Sequence, residues 1–190
     1  TWSDARVVDC HHIAGQMYRL SLHHPSIADA SVPGQFLNLS TGGATLLNRP
    51  LSIAAAYPAS GTVIVVFRVV GPGTRALAKM APGESVPLLG PCGGGFPDVS
   101  APSYGVGGGS GIPPVHFLVL RADAACRVFL GARTADELAL VDECGAATGG
   151  DVCVMTEDGS QGDTGLVTSP LADALARERR RIFACGPTPM

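Results

Sequence analysis

The hydrophobic period of this chain changes near Phe96-Pro97, and that change limits the fold more than any other feature. Before it, apolar residues come in short runs at 6–10, 17–22, 35–39, 51–56 and 62–70, rich in β-branched or alternating residues. Turn dipeptides such as Pro33-Gly34 and Pro82-Gly83 separate the runs, and 76–80 adds one helical turn. Many short strands with Gly/Pro turns predict a closed antiparallel β-barrel. After the change, strands at 103–106, 127–131, 152–156 and 181–184 alternate with helices at 111–121, from 134 to about 143, and at 171–180. Pro113-Pro114 suits a helix start, and Thr134-Ala135-Asp136-Glu137 reads as a capping box. Ser169-Pro170 opens the last helix, whose arginine-rich end suits the negative end of the helix dipole. Alternation of this kind predicts a Rossmann-like parallel sheet with crossovers. The expected fold class is therefore β followed by α/β: a barrel over 1–97 and an α/β domain over 98–190, with the boundary near 97–102.

Composition bounds the function. With 190 residues, 46% hydrophobic and 15% charged, the chain can fill two small cores and is not disordered. A net charge of −3 supplies no basic footprint for nucleic acid. The longest apolar run, 63–70, is broken by Arg68 and is strand-sized, so no membrane span is expected. No secretory signal opens the chain, which begins at Thr1. Cys10, Cys92, Cys126, Cys144, Cys153 and Cys185 form no Cys-x-x-Cys pair. We expect reduced thiols in a cytoplasmic protein and no metal ligands in this segment.

Five segments carry chemistry. In Asn48-Arg49-Pro50-Leu51-Ser52-Ile53, proline fixes φ and stiffens the turn between two strands. Arg49 can fork onto a diphosphate, and Ser52 can offer a hydrogen bond to a ring nitrogen, an arrangement that suits a flavin. Alone, the segment reads equally well as a strand edge with a surface arginine. Gly71-Pro72-Gly73-Thr74 places small residues before a helical turn, where phosphate is favoured; a plain strand-to-helix turn is the alternative. Gly107-Gly108-Gly109-Ser110-Gly111-Ile112-Pro113 does not match G-x-G-x-x-G, yet it sets bare backbone before a helix N-terminus, where a pyrophosphate would sit. A flexible linker is its alternative. Cys185-Gly186-Pro187 falls at the carboxyl end of the last parallel strand, where ligands of open α/β sheets bind, so Cys185 is a candidate for contact with a nicotinamide; a buried structural thiol is the alternative. Asp158, in Glu157-Asp158-Gly159-Ser160, can accept from ribose hydroxyls and repel a 2′-phosphate, unless it is an ordinary acidic turn. His11, His12, His23, His24 and His116 show no nucleophile-and-base arrangement and receive no catalytic role.

These motifs occur in one order, and that order resembles the ferredoxin–NADP⁺ reductase superfamily. Within it, Phe67-Arg68-Val69-Val70-Gly71-Pro72-Gly73-Thr74, Leu89-Gly90-Pro91-Cys92-Gly93-Gly94-Gly95-Phe96 and Glu157-Asp158-Gly159-Ser160-Gln161-Gly162 are similar to the electron-transfer subunits of class-B dihydroorotate dehydrogenases. Cys92 departs from the leucine-like residue usual in its loop. The resemblance spans nearly the whole chain and implies a flavin-binding barrel followed by a pyridine-nucleotide domain. It implies that Arg49, Pro50, Leu51 and Ser52 hold FAD, with Ser52 near N5 of the ring. Val66, Phe67 and Arg68 would line the ring or its tail, and Gly73 and Thr74 would take the pyrophosphate. Gly107, Gly108, Gly109, Gly111, Cys185, Gly186 and Pro187 would receive NAD(H), and the acidic Glu157-Asp158 pair favours NAD over NADP. Ser52 and Cys185 are the residues expected at the reacting rings. A cysteine-rich tail binding a [2Fe–2S] cluster is implied beyond these motifs; its ligands do not lie in these 190 residues, so the cluster is expected only in a longer chain. The implied partner is an FMN-containing dihydroorotate dehydrogenase catalytic subunit. The rival readings are the small FAD/NAD(P)H reductase subunit of an NADH-dependent ferredoxin:NADP⁺ oxidoreductase, a sulfhydrogenase or a sulfite reductase, and a redox-inactive binding module.

Overall fold

The computed structural model describes residues 2–43, 45–97 and 100–187. The chain divides into two compact units, Thr1–Gly95 and Phe96–Met190.

In the first unit the strands are β1 (Ser3–Ala14), β2 (Met17–His23), β3 (Phe36–Leu39), β4 (Arg49–Tyr57), β5 (Thr62–Arg68) and β6 (Ser85–Cys92), with helices α1 (Pro25–Ala30) and α2 (Pro72–Leu77). Among the described residues the six strands close into an antiparallel barrel in the order β1-β2-β5-β4-β3-β6. Its interior is filled by fully buried Leu20, Leu22, Leu37, Leu39, Ile53, Val63, Val65 and Leu88. Closure leaves no unpaired sheet edge.

Two elements of this unit carry no periodic signal. Pro87 and Pro91 argue against a strand at Ser85–Cys92. The structure accommodates them because β6 changes partner along its length: Ser85–Leu88 pairs with β1, and Leu88–Cys92 pairs with β3. Helix α1 is capped by His24, whose Nδ1 accepts from the Ile27 N–H at 3.3 Å while Nε2 meets Ser3 Oγ at 2.9 Å. The helical turn expected at 76–80 instead starts at Pro72, because Gly71 serves as its extended N-cap and Pro72 needs no N–H partner there.

The second unit contains β7 (Ser103–Gly108), α3 (Ile112–Arg121), β8 (Cys126–Ala132), α4 (Val141–Thr148), β9 (Val152–Thr156), β10 (Asp163–Thr164), α5 (Thr168–Arg177) and β11 (Arg181–Cys185). Among the described residues these five strands form a parallel sheet in the order β10-β9-β8-β7-β11. Every residue of β7 is buried, although glycines occupy half of its six positions. Alternation explains the composition. Tyr104 and Val106 join Phe129, Met155, Val167 and Ala174 in one core, against α5. Tyr104 also donates its hydroxyl to the carbonyls of Ala174 (3.3 Å) and Glu178 (3.1 Å). On the opposite face, a Cβ at Gly105 would lie 2.9 Å from Val115, and one at Gly107 would lie 3.0 Å from the Ile112 Cα. The glycines let α3 lie directly on the strand.

Two helices differ from the sequence expectation. No helix runs from Thr134 to Glu143: Ala135–Glu137 is a single 3₁₀ turn, Leu140 takes φ +61°, and α4 begins at Val141. The capping box fails because Thr134 makes no side-chain cap bond and its glutamate is engaged elsewhere. Glu137 pairs with Arg133, and the Ala135 N–H donates to Ser160 Oγ at 2.8 Å. Helix α5 starts three residues before Leu171 and ends at Arg177, with Pro170 tolerated in its first turn. Arg180, expected at the helix end, lies beyond it and bonds Glu178 at 2.7 Å.

Candidate functional site

In the first unit, of the predicted residues on β4, Arg49 meets α2, at Gly73. Arg49 opens β4, with Leu39 as its ladder partner; Pro50, Leu51 and Ser52 pair with Asn38, Leu37 and Phe36. Strand alternation sends Arg49 and Leu51 to one face and Pro50 and Ser52 to the other. Arg49 is held from the side: Nη2 donates to Thr45 Oγ1 at 2.7 Å, and Thr45 Oγ1 in turn donates to the Leu47 carbonyl at 2.8 Å. The guanidinium lies against Gly73. A Cβ there would run into Arg49 Nε and would sit 3.1 Å from both Cζ and Nη2. Residues 24 positions apart in sequence thus place a fixed cation beside the first turn of α2.

Thr74 is buried, and its hydroxyl is committed to the loop. Oγ1 accepts from the N–H groups of Val70 (3.0 Å) and Gly71 (3.2 Å) and donates to the Gly71 carbonyl (3.2 Å). Those bonds fix the turn. Pro72 supplies no donor to this first turn, and at Gly73 the bare backbone lies beside the Arg49 guanidinium. Val66 and Phe67 are buried, and Phe67 stacks on Tyr18 with ring centroids 6.3 Å apart. Arg68 ends β5 half-buried, with Met17 as its ladder partner. Ser52 is half-buried.

In the second unit the glycine loop and Cys185 meet. Strand β7 ends at Gly108, Gly109 takes φ +50°, and a 3₁₀ turn of Gly109–Gly111 leads into α3. Cys185 is the ladder partner of Gly107. Gly111 packs backbone to backbone on the Cys185-Gly186 peptide; a Cβ there would overlap the Cys185 carbonyl and lie 2.7 Å from the Gly186 nitrogen. Burial pushes the Cys185 thiol up, so it stays protonated near neutral pH and is not a thiolate nucleophile. Gly186 and Pro187 are exposed beyond it.

Asp158 lies at the same carboxyl edge but is already engaged. Its Oδ1 accepts from Ser160 Oγ at 2.6 Å and from the Ser160 N–H at 3.0 Å, and these bonds hold its carboxyl below the usual range. Ser160 Oγ in turn accepts from Ala135 N–H, while the Glu157 and Asp158 N–H groups donate to the carbonyls of Ala132 and Arg133. The loops after β8 and β9 are therefore stapled together. Sequence reasoning passed over Thr45 and the Arg133–Glu137 pair. Nothing in the sequence marks Thr45, which reaches Arg49 through an irregular loop. Arg133 had a signal: it follows the strand after the glycine loop, some two dozen residues on, where dinucleotide folds read the ribose.

Among the described residues no three His, Cys, Asp or Glu side chains gather as a metal site, and no helix is long and apolar enough to cross a membrane.

No family model matches the chain. It is 36% identical over 191 residues to the "Dihydroorotate dehydrogenase B (NAD(+)), electron transfer subunit" of Geobacillus thermodenitrificans, covering 97% of this chain and 74% of that protein. The same subunit of Bacillus velezensis is 37% identical over 187 residues, covering 94% and 72%. The chain belongs to the family of dihydroorotate dehydrogenase B electron-transfer subunits. It is an oxidoreductase subunit of the electron-transfer kind. Among solved structures, the NADH-dependent reduced ferredoxin-NADP oxidoreductase is similar at a TM-score of 0.82 and 31% identity, covering 98% of this chain and 68% of that one. The ferredoxin reductase of carbazole 1,9a-dioxygenase shares the fold at a TM-score of 0.82 and 20% identity, covering 100% and 62%. Both observed units, the closed barrel and the parallel sheet, thus belong to the ferredoxin-reductase-like architecture of this subunit family.

Proposed function

We propose that the chain binds FAD on its barrel and NAD(H) on its parallel sheet, and that it relays electrons between a partner dehydrogenase and NAD⁺. The observation that carries this reading is the Arg49 guanidinium, pinned by Thr45 and laid against Gly73 at the start of α2. A side-chain-free position under a fixed cation fits a diphosphate that must approach backbone closely. When bound, the flavin supplies the ability to take up two electrons and release them singly or together. The protein supplies position and charge. Arg49, Gly73 and Thr74 hold the diphosphate, and the β4 segment Pro50-Leu51-Ser52 presents Ser52 to the ring. Arg68 serves the ring or its tail, and the enclosed Val66 and Phe67 hold β5 in place beneath it. Gly107, Gly108, Gly109 and Gly111 offer backbone to the nucleotide. Cys185 with Gly186 and Pro187 makes the contact surface for its nicotinamide, through a neutral thiol rather than a covalent bond.

The family supports a catalytic dehydrogenase as partner. We assign it as an FMN-containing subunit that oxidises dihydroorotate, which places the chain in pyrimidine biosynthesis. The six cysteines are free thiols, which suits the reducing cytoplasm. A second reading is favoured by the 31% identity to the NADH-dependent reduced ferredoxin-NADP oxidoreductase: the same module serving a ferredoxin- and NADP-linked complex. A visible spectrum tests the common part. The purified chain is expected to carry flavin bands near ~450 nm, or to gain them on reconstitution with FAD. Their absence after reconstitution would sink the cofactor assignment.

A further inference from the structure

The loops at the carboxyl ends of β8 and β9 hold one cation and four carboxylates: Arg133 against Asp136, Glu137, Glu157 and Asp158. Arg133 immediately follows β8, the strand paired with glycine-ended β7. In nucleotide-binding sheets that position meets the adenosine ribose, where an arginine accommodates a 2′-phosphate and a carboxylate takes the ribose hydroxyls. A free Arg133 would therefore suit NADP(H). It is not free. Glu137, one helical turn on, receives Nη2 at 2.7 Å and Nε at 3.4 Å in a two-point grip. Glu157 adds a second negative charge acting on the same guanidinium, and both neighbours raise its pKa. Asp158 Oδ1 accepts both Ser160 donors, and that oxygen shapes the loop.

We propose that Arg133, clamped by Glu137, sets the choice of pyridine nucleotide in this chain. The clamp withholds the guanidinium from a 2′-phosphate and leaves the edge net negative, so NAD(H) is taken. Releasing the clamp turns the same arginine into a 2′-phosphate ligand. This inference rests on the reading that the parallel sheet binds a pyridine nucleotide. It moves the discriminating role from Asp158 to the Arg133–Glu137 pair and makes Asp158 a positioning residue.

The test measures binding by calorimetry on the purified chain, with ADP and 2′,5′-ADP as probes, so that it does not depend on flavin content or turnover. Wild type is expected to bind ADP more tightly than 2′,5′-ADP. Glu137→Gln should improve 2′,5′-ADP binding about ten-fold while leaving ADP within about two-fold, the scale of one added charge-assisted hydrogen bond. Arg133→Ala combined with Glu137→Gln should erase the gain. An unchanged 2′,5′-ADP affinity in Glu137→Gln, with ADP still bound, overturns the clamp. A gain that persists without Arg133 also overturns it, since net charge alone would then explain the effect. ADP binding to none of the proteins would overturn the nucleotide reading itself, and the clamp with it. Glu137→Asp guards against a folding defect: the shorter side chain keeps the charge but breaks the two-point grip, and it should show a smaller gain than Glu137→Gln. A gain in Glu137→Asp equal to that of Glu137→Gln would overturn the clamp in favour of simple loop loosening.

Discussion

Two arginines of this chain stand at comparable places and meet opposite fates. Arg49 opens a barrel strand, and Arg133 follows a sheet strand; each lies at the end of a β-element near glycine-rich backbone. Arg49 is held by a neutral hydroxyl, Thr45 Oγ1 at 2.7 Å. Arg133 is held by a carboxylate, Glu137 Oε1, also at 2.7 Å. The distances are alike, and the chemistry is not. A hydroxyl tether fixes direction and leaves the positive charge for a ligand. A carboxylate tether fixes direction and cancels the charge. Position alone therefore does not make an anion site; the partner that holds the arginine decides whether its charge is available.

The largest expected effect comes from deleting the available cation. Arg49→Ala should weaken FAD retention by about 2 kcal/mol, or roughly thirty-fold, as expected for the loss of a hydrogen bond to a charged group. Dialysis of the holoprotein followed by absorbance reads the change directly. Unchanged retention would reduce Arg49 to a surface residue packed on Gly73. A smaller loss is expected from Thr45→Glu, which gives Arg49 the kind of partner Arg133 has. The guanidinium stays in place while its charge is cancelled, and FAD affinity should fall about ten-fold. If Thr45→Glu binds FAD as tightly as wild type, the contrast between hydroxyl and carboxylate tethers has no functional content.

The same contrast shows what a linear sequence displays and what it hides. The barrel and the parallel sheet were legible because period 2 runs and alternating strand and helix patterns are local signals. The segments holding Arg49 and Gly73 stood out because proline and glycine are local signs, but the packing of the Arg49 guanidinium on Gly73 could be seen only in three dimensions. The match of Gly111 to the Cys185-Gly186 peptide was hidden, because a backbone contact across 74 positions leaves no trace in residue type. Strand Ser85–Cys92 was hidden by its own prolines, which a change of partner strand made tolerable. Thr134–Glu137 misled because a capping box competes with ion pairing, and Arg133 won Glu137. Asp158 was correctly placed at the sheet's carboxyl edge, yet its commitment to Ser160 could be seen only in three dimensions.

That commitment yields the smallest expected effect, and it probes the loop that positions Arg133. Ser160 hydroxyl and amide donors favour the charged form of Asp158, so its folded pKa lies below the ordinary value of 3.8. For a carboxylate with a depressed folded pKa, the stabilisation is present above the unfolded pKa and is lost as pH falls through the folded one. The staple should therefore be complete at pH 7, persist down to about pH 4, and loosen only in stronger acid. Removing the hydroxyl with Ser160→Ala should move the Asp158 titration up toward 3.8, because the largest cause of the depression is gone while the amide bond remains. Carboxyl-carbon NMR titration of the two proteins measures this, and Asp158 is fully exposed, so the accompanying change in global stability should be slight. An identical midpoint in both proteins would show that Ser160 Oγ does not hold Asp158, and the connection from Asp158 through Ser160 to Ala135 would then not set the place of Arg133 and Glu137.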